Sequence, residues 1–320
     1  MRIVLILSLV AGAALAGCGE DETGPRSPTA GAPLSVAASF HPLAEVAERV
    51  GGTRVAVANL TPAGAEPHDL ELSTRQVEQV EDADLAIVLG RGFQPSVERV
   101  AARRRGPTIV ALDAIGVEEG EIEGHDEDED EDDHDDGGGL DPHVWLDPTR
   151  MAAITEHVAD ALADIDPDGA ATYRANGADF LRDLDALDRR YETGLAECDR
   201  DVIVVAHAAF GWLAQRYGLR QEAVAGLSPD QEPDPRRLDA LVDLVRDEGV
   251  TTIFTEVLVS PRVAETLARE AGVATAVLDP IEGIAPDRLD GVEHGRRHAR
   301  LPRQGLGHAG RHQHLSLIHI

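Results

Sequence analysis

The chain has 320 residues, 59 of them acidic and 29 basic, for a formal charge of −30, a length that allows about two domains with cores of their own. Acid in such excess excludes a nucleic-acid binder, whose phosphate contacts need a basic surface, and suits a protein that handles a cation. All 29 basic residues are arginine, a bias that a GC-rich genome explains without a functional role.

Arg2 and the apolar run IVLILSLVAGAALAG read as a secretory signal, too short with its flanks for a membrane span. The run ends in LAGC, Leu15 to Cys18. This resembles the lipobox of bacterial lipoproteins, with Cys18 as the acylated first residue; an ordinary signal peptide with a chance cysteine is the alternative. Residues 1–18 are then the leader, and the Gly/Pro/Ser/Thr-rich stretch 19–33 a flexible tether. The sequence therefore places the protein outside the cytoplasm, held to a membrane surface by lipid on Cys18; it is expected to work as a monomer.

From Leu34 short apolar runs alternate with amphipathic segments. LSVAASF reads as a strand and PLAEVAERVGG as a helix, with proline at its start and glycines past its end. RVAVANL, DLAIVLG and TIVALD continue as strands, with STRQVEQVEDA and QPSVERVAARR as the helices between them. Strands that alternate with helices predict a parallel α/β sheet with right-handed crossovers. A first α/β lobe is thus expected over 34–166, interrupted at 118–139 by a segment that cannot pack, with fourteen acidic residues between Glu118 and Asp136.

DPHVWLDP follows that segment, and PTRMAAITEHVADALADI reads as a helix. A longer helix is expected over 168–197, where Tyr173, Gly177, Phe180, Leu181, Leu184, Leu187, Tyr191 and Leu195 recur at spacings of three and four. It is long enough to serve as the spine of a two-lobed protein. The α/β rhythm then resumes over 198–290: DVIVVA, LRQEAVA, VTTIFTEV and VATAVLD as strands, HAAFGWLAQRYG, PDPRRLDALVDLVRDEG and SPRVAETLAREAG as helices.

Residues 291–320 break the pattern, with six of the thirteen histidines, five arginines and one acidic residue. They have neither helical nor strand periodicity. This stretch reads as frame-shifted or non-native sequence, with a basic tail as the alternative.

Seven histidines remain: His41, His68, His125, His134, His143, His157 and His207. His207 directly follows the strand DVIVVA, and Asp279 directly follows VATAVL. His68 lies one loop beyond RVAVANL, and His143 in the segment after TIVALD. Ligands of open parallel sheets bind beyond the carboxyl ends of strands, so two facing edges could bring His68 and His143 against His207 and Asp279. Three imidazoles and a carboxylate suit a tetrahedral, borderline-soft ion, zinc above all. Spacing alone does not decide it, because a lone histidine is more often structural. His157, mid-helix, is read as structural, and His41, beside Pro42, is left outside the ligand set.

The blocks SFHPLAEVAERVGG, PAGAEPHDLELS, DPHVWLDP, AHAAFGWLAQRYGL and TEVLVSPRVAETLAREAGVATAVLDP resemble, in order, those of the zinc-binding solute-binding lipoproteins. These are the ZnuA-like (cluster A-I) receptors of metal ATP-binding-cassette importers. The resemblance covers about 35–284. It implies two α/β lobes joined by one long helix, a Zn2+ cargo held between the lobes and passed to a membrane permease, and metal ligands at His68, His143, His207 and Asp279. Manganese-type relatives tend to carry Glu in place of the third histidine, so His207 points to zinc, with manganese or iron(II) as the alternative cargo.

Zinc-type relatives also carry a charged, often His-rich loop before DPHVWLDP. Here it holds only His125 and His134 among ten acidic residues between 125 and 136. That composition is expected to collect cations weakly at best. The family further implies a final helix whose cysteine pairs near Cys198; no such helix or cysteine follows, and Cys198 is left without a partner.

A zinc hydrolase is the rival of a different class. It needs an open coordination position and a poised base, and no H-E-x-x-H or G-x-S-x-G motif occurs. The sequence is therefore read as a binding protein and not an enzyme.

Overall fold

A computed structural model describes residues 32–118, 140–230 and 233–283. The leader with Cys18, most of the tether, most of the acidic segment with His125 and His134, and the C-terminal stretch 291–320 lie outside the described residues.

The first half runs β1 (Leu34–Ala38), α1 (His41–Gly51), β2 (Val55–Asn59), α2 (Thr74–Asp82), β3 (Leu85–Val88), α3 (Pro95–Ala101), β4 (Thr108–Val110) and α4 (Ala111–Ala114). Two long helices follow, α5 (Pro148–Ile165) and α6 (Ala170–Leu195). The second half runs β5 (Val202–His207), α7 (Gly211–Tyr217), β6 (Arg220–Ala225), α8 (Pro235–Asp247), β7 (Thr252–Thr255), α9 (Arg262–Ala271) and β8 (Ala274–Val277). Each half holds a four-stranded sheet with every pairing parallel, in the orders β2-β1-β3-β4 and β6-β5-β7-β8. The two orders are the same when each half is counted from its own first strand. In such an order the crevice that takes a ligand opens at the carboxyl ends of the strands.

Local chemistry sets several helix starts. Ser73 and Gln76 form a capping box at α2, the Ser73 amide donating to Gln76 Oε1 at 2.9 Å. The Asp-Pro pairs act alike: Asp147 accepts the Thr149 amide at 2.8 Å before α5, and Asp234 the Arg236 amide at 2.9 Å before α8, each with proline in the first turn. The expected strand TIVALD is shorter than its apolar run, because the chain turns into α4 after Val110. A 3-10 turn over Val144–Leu146, unforeseen from the sequence, precedes α5.

Helix α6 has 26 residues, about 39 Å of length at the usual rise. It is pinned at both ends. Arg54 and the Tyr173 hydroxyl donate to Asp166 at its start, at 2.5 and 2.8 Å. Toward its other end Asp188 takes Arg216 of α7 at 2.6 Å and the Tyr217 hydroxyl at 2.9 Å. Gly177 lets α5 approach closely, since a Cβ there would stand 3.3 Å from the Ala159 methyl. One hydrophobic core runs from β1 and β3 through α5 and α6 to Phe210 and Trp212 of the second half, so the two sheets share packed interior instead of meeting only at a linker. His157, read as a structural histidine, is exposed on α5.

Candidate metal centre

The two sheets present their carboxyl ends to one another, and three histidines converge there. His207 is the last residue of β5 and stays in register with Ala225 of β6. His143 stands just before the 3-10 turn, and His68 lies on the loop between β2 and α2. The side chains of His143 and His207 are fully buried, and that of His68 is 11% exposed.

The fourth member is Glu282. Its Oε1 lies 3.2 Å from His207 Nε2, 3.3 Å from His143 Nε2 and 3.8 Å from His68 Nε2. One donor atom from each of these four residues lies within 4.8 Å of all the others. Zinc binds nitrogen and oxygen at about 2.0–2.2 Å, so the edges of its tetrahedron measure about 3.3–3.6 Å. The three carboxylate-to-imidazole distances bracket that value. Two of the ring nitrogens, His68 Nε2 and His143 Nε2, are buried without a hydrogen-bond partner among the described residues. Buried polar atoms are ordinarily satisfied, and a cation among these four donors would satisfy both.

Asp279, expected as the fourth ligand, is not part of this group. It is buried, and its Oδ1 accepts the Ile281 amide at 3.0 Å, shaping the turn that presents Glu282. The physical reason is local: Ile281 has φ of +53°, which redirects the chain so that the carboxylate three residues on points inward. Sequence reading also passed over the two acids that orient the imidazoles. Asp141 accepts both the backbone amide and Nδ1–H of His143, at 2.8 and 2.7 Å. Glu256 does the same for His207, at 3.1 and 2.8 Å. Such carboxylates hold the proton on Nδ1 and leave the Nε2 lone pair facing inward. Glu256 directly follows β7, the strand beside β5, so the strand-end rule that singled out His207 applied to it as well. Asp141 lies two residues before His143, and only its contact marks it out.

His68 is held by packing, edge-on to Phe93 with ring centroids 4.4 Å apart. His41, at the start of α1, lies outside the four-residue group. A second carboxylate group, Glu66, Asp69 and Asp230, draws from both halves and is more exposed.

The electrostatics are those of a place built for positive charge. Burial disfavours the charged form of His207, but hydrogen bonds to Glu256 and Glu282 outweigh it and raise its pKa to about 10. His143 is also raised, burial being overcome by Asp141 and Glu282. Burial dominates at His68 and lowers it. Glu282 is buried, which opposes its ionisation, yet the surrounding imidazoles of His143, His207 and His68 keep it well below the usual carboxylate range. Burial and the charge of Glu282 push Glu66 up to about 7. A divalent cation among the three imidazoles would answer the Glu282 charge.

Among the described residues no helix is long and apolar enough to cross a membrane. Cys198 is free among the described residues and exposed.

A family model described as "Zinc-uptake complex component A periplasmic", ZnuA, matches residues 36–291. The chain is 34% identical over 279 residues to the high-affinity zinc uptake system protein ZnuA of Bacillus subtilis (strain 168), covering 86% of this chain and 87% of that one. It is 35% identical over 258 residues to the zinc-binding lipoprotein AdcA of Streptococcus pneumoniae serotype 4, covering 79% of this chain but 51% of AdcA, so it spans about half the length of that relative. Among solved structures, the Zn(II)-bound ZnuA-like domain of S. pneumoniae AdcA superposes with a TM-score of 0.64 at 33% identity, covering 81% of this chain and 92% of that domain.

Proposed function

Since the chain belongs to the ZnuA family of zinc-uptake components, we propose that it is an extracytoplasmic receptor that binds one Zn2+ between its lobes and hands it to a membrane ATP-binding-cassette permease. The observation that carries this reading is the convergence of three imidazole nitrogens and the Glu282 carboxylate, with carboxylate-to-imidazole distances that bracket the edge of a zinc tetrahedron. His68 and His143 come from the first half, His207 and Glu282 from the second. Binding therefore ties the halves together, and release requires them to part.

Four protein donors also oppose a hydrolase, because a catalytic zinc keeps a position for water. The nitrogen-rich set favours zinc over manganese, which prefers more oxygen. Cys18 is the proposed lipid attachment point, consistent with the name of the AdcA relative. The acidic segment contributes none of the four donors, so deleting 118–139 leaves the tight site in place and removes only weak additional binding.

The test is a competition titration of the protein beginning after Cys18. One tightly bound Zn2+ per chain, not displaced by Mn2+ at equal concentration, is the expected result. Displacement by Mn2+ would transfer the cargo to manganese. Membrane retention after a high-salt wash, compared between the full chain and Cys18→Ala, tests the anchor, and loss from the membrane is expected for the variant.

A further inference from the structure

The chain has two tryptophans, and both are buried beside the metal centre, Trp145 at 5% and Trp212 at 2% exposure. An indole offers one hydrogen-bond donor, and burial obliges it to find an acceptor. Trp145, two residues after His143, donates across the lobe junction to the Pro280 carbonyl at 2.7 Å. Trp212, in α7 just beyond His207, donates the other way, to the Asp141 carbonyl at 3.0 Å. Each acceptor belongs to a segment that carries or orients a ligand. Asp141 holds His143 through its carboxylate, and Pro280 stands two residues before Glu282.

The turn over 279–282 needs such a hold. Ile281 occupies the left-handed region, with φ of +53°, which a β-branched residue adopts only when its surroundings impose it. Within the turn, Asp279 supplies one restraint through the Ile281 amide. Trp145 supplies another from the opposite lobe. Both indoles are themselves fixed. Trp145 packs against Phe40, Phe93 and His143 at centroid distances of 4.8, 5.5 and 5.1 Å, and the Arg150 guanidinium lies 3.6 Å over the ring of Trp212.

From this reciprocity we infer that Trp145 and Trp212 are positioning residues for the metal site: each lobe clasps the other's ligand-bearing segment through one indole N–H. Trp145 acts on Glu282 through the Pro280 carbonyl, and Trp212 acts on His143 through Asp141. Ligand geometry is thereby coupled to lobe docking. Parting the lobes breaks both hydrogen bonds and releases the Glu282 turn and the His143 segment together, so the high-affinity arrangement exists only when the lobes are docked.

The inference rests on the zinc reading of the site, and the experiment separates the two. Trp145→Phe and Trp212→Phe keep the aromatic packing and remove the N–H. Zn2+ affinity is measured by chelator competition in the parent, each Phe variant, Glu282→Ala, Asp141→Ala, and the pairs Trp145→Phe/Glu282→Ala and Trp212→Phe/Asp141→Ala. Each Phe variant alone is expected to weaken binding about tenfold, at the lower end of the roughly 10–100-fold typical of outer-sphere partners. In its paired background each should cost less than about twofold, because the group it positions is gone. The ligand-field absorption of Co2+-loaded Trp145→Phe should shift toward that of Glu282→Ala, which general destabilisation would not produce. Losses of equal size in both backgrounds, or unchanged affinity in the Phe variants, would overturn the clasp. His207→Ala is the control for the site: affinity lost there but unchanged in both Phe variants overturns the clasp alone, whereas affinity unchanged in His207→Ala overturns the site and the clasp with it.

Discussion

The two lobes share one strand order but mount their proposed metal ligands differently. In the second lobe His207 ends a strand hydrogen-bonded on both sides, by β6 and β7, and its orienting acid Glu256 directly follows the neighbouring strand. In the first lobe His68 stands on a loop, partly exposed and held by packing on Phe93. Parallel sheets bring both residues to the same crevice, but ladder hydrogen bonds fix a strand-end ligand far more firmly than a loop fixes its own. A firm ligand on one side and a more yielding one on the other would suit the proposed receptor, which must both hold and release its cargo.

The largest expected effect breaks the comparison at its firm side. His207→Ala should weaken zinc binding by more than the roughly 100-fold ceiling of outer-sphere changes, and His68→Ala by less than His207→Ala; equal losses in parallel competition titrations would show that the mounting does not matter. The two acids of the 279–282 turn sharpen the second lobe's side. Glu282→Ala removes a proposed donor, whereas Asp279→Ala removes a restraint on the turn that presents it, so the first should cost more affinity. A larger loss for Asp279→Ala would return Asp279 to the ligand set.

Smaller again is the outer sphere. Glu256→Gln and Asp141→Asn keep the shape but weaken the hold on Nδ1 of His207 and His143, and each is expected to cost about 10–100-fold in zinc affinity. If either left affinity unchanged, packing alone would be orienting that ring.

The smallest effect concerns what holds the lobes to the spine. Arg216→Ala removes the paired contacts to Asp188 and should cost about 1–2 kcal/mol of stability, since both side chains are mostly but not wholly buried. Arg216 first, and the Tyr217 hydroxyl with it, hold the Asp188 carboxyl below its ordinary value. A depressed carboxyl stabilises the fold above its unfolded pKa of about 3.9, and that stability disappears as pH falls through the folded value. The gap between the urea midpoints of the parent and Arg216→Ala should therefore be wide at neutral pH and narrow in strong acid. A gap independent of pH would assign the effect to packing.

Much of this architecture follows from local pattern. The strand and helix alternation, the spine helix and the placement of His207 beyond a strand are all properties of near neighbours in the chain. Apolar periodicity, Asp-Pro caps and the end of a β run state them directly, and the Val144–Leu146 turn escaped because three residues carry no period. His68, His143 and His207 are named by residue type and by their place after strands, yet their convergence depends on the docking of two sheets, which the shared core through α5 and α6 brings about. The fourth donor marks the boundary most sharply. Asp279 and Glu282 are both acids in one short turn, and nothing in their spacing tells which faces the imidazoles. A left-handed Ile281, held between Asp279 and an indole from the opposite lobe, makes that choice, because the direction of a side chain after a turn is set by backbone torsions that only long-range contacts can impose.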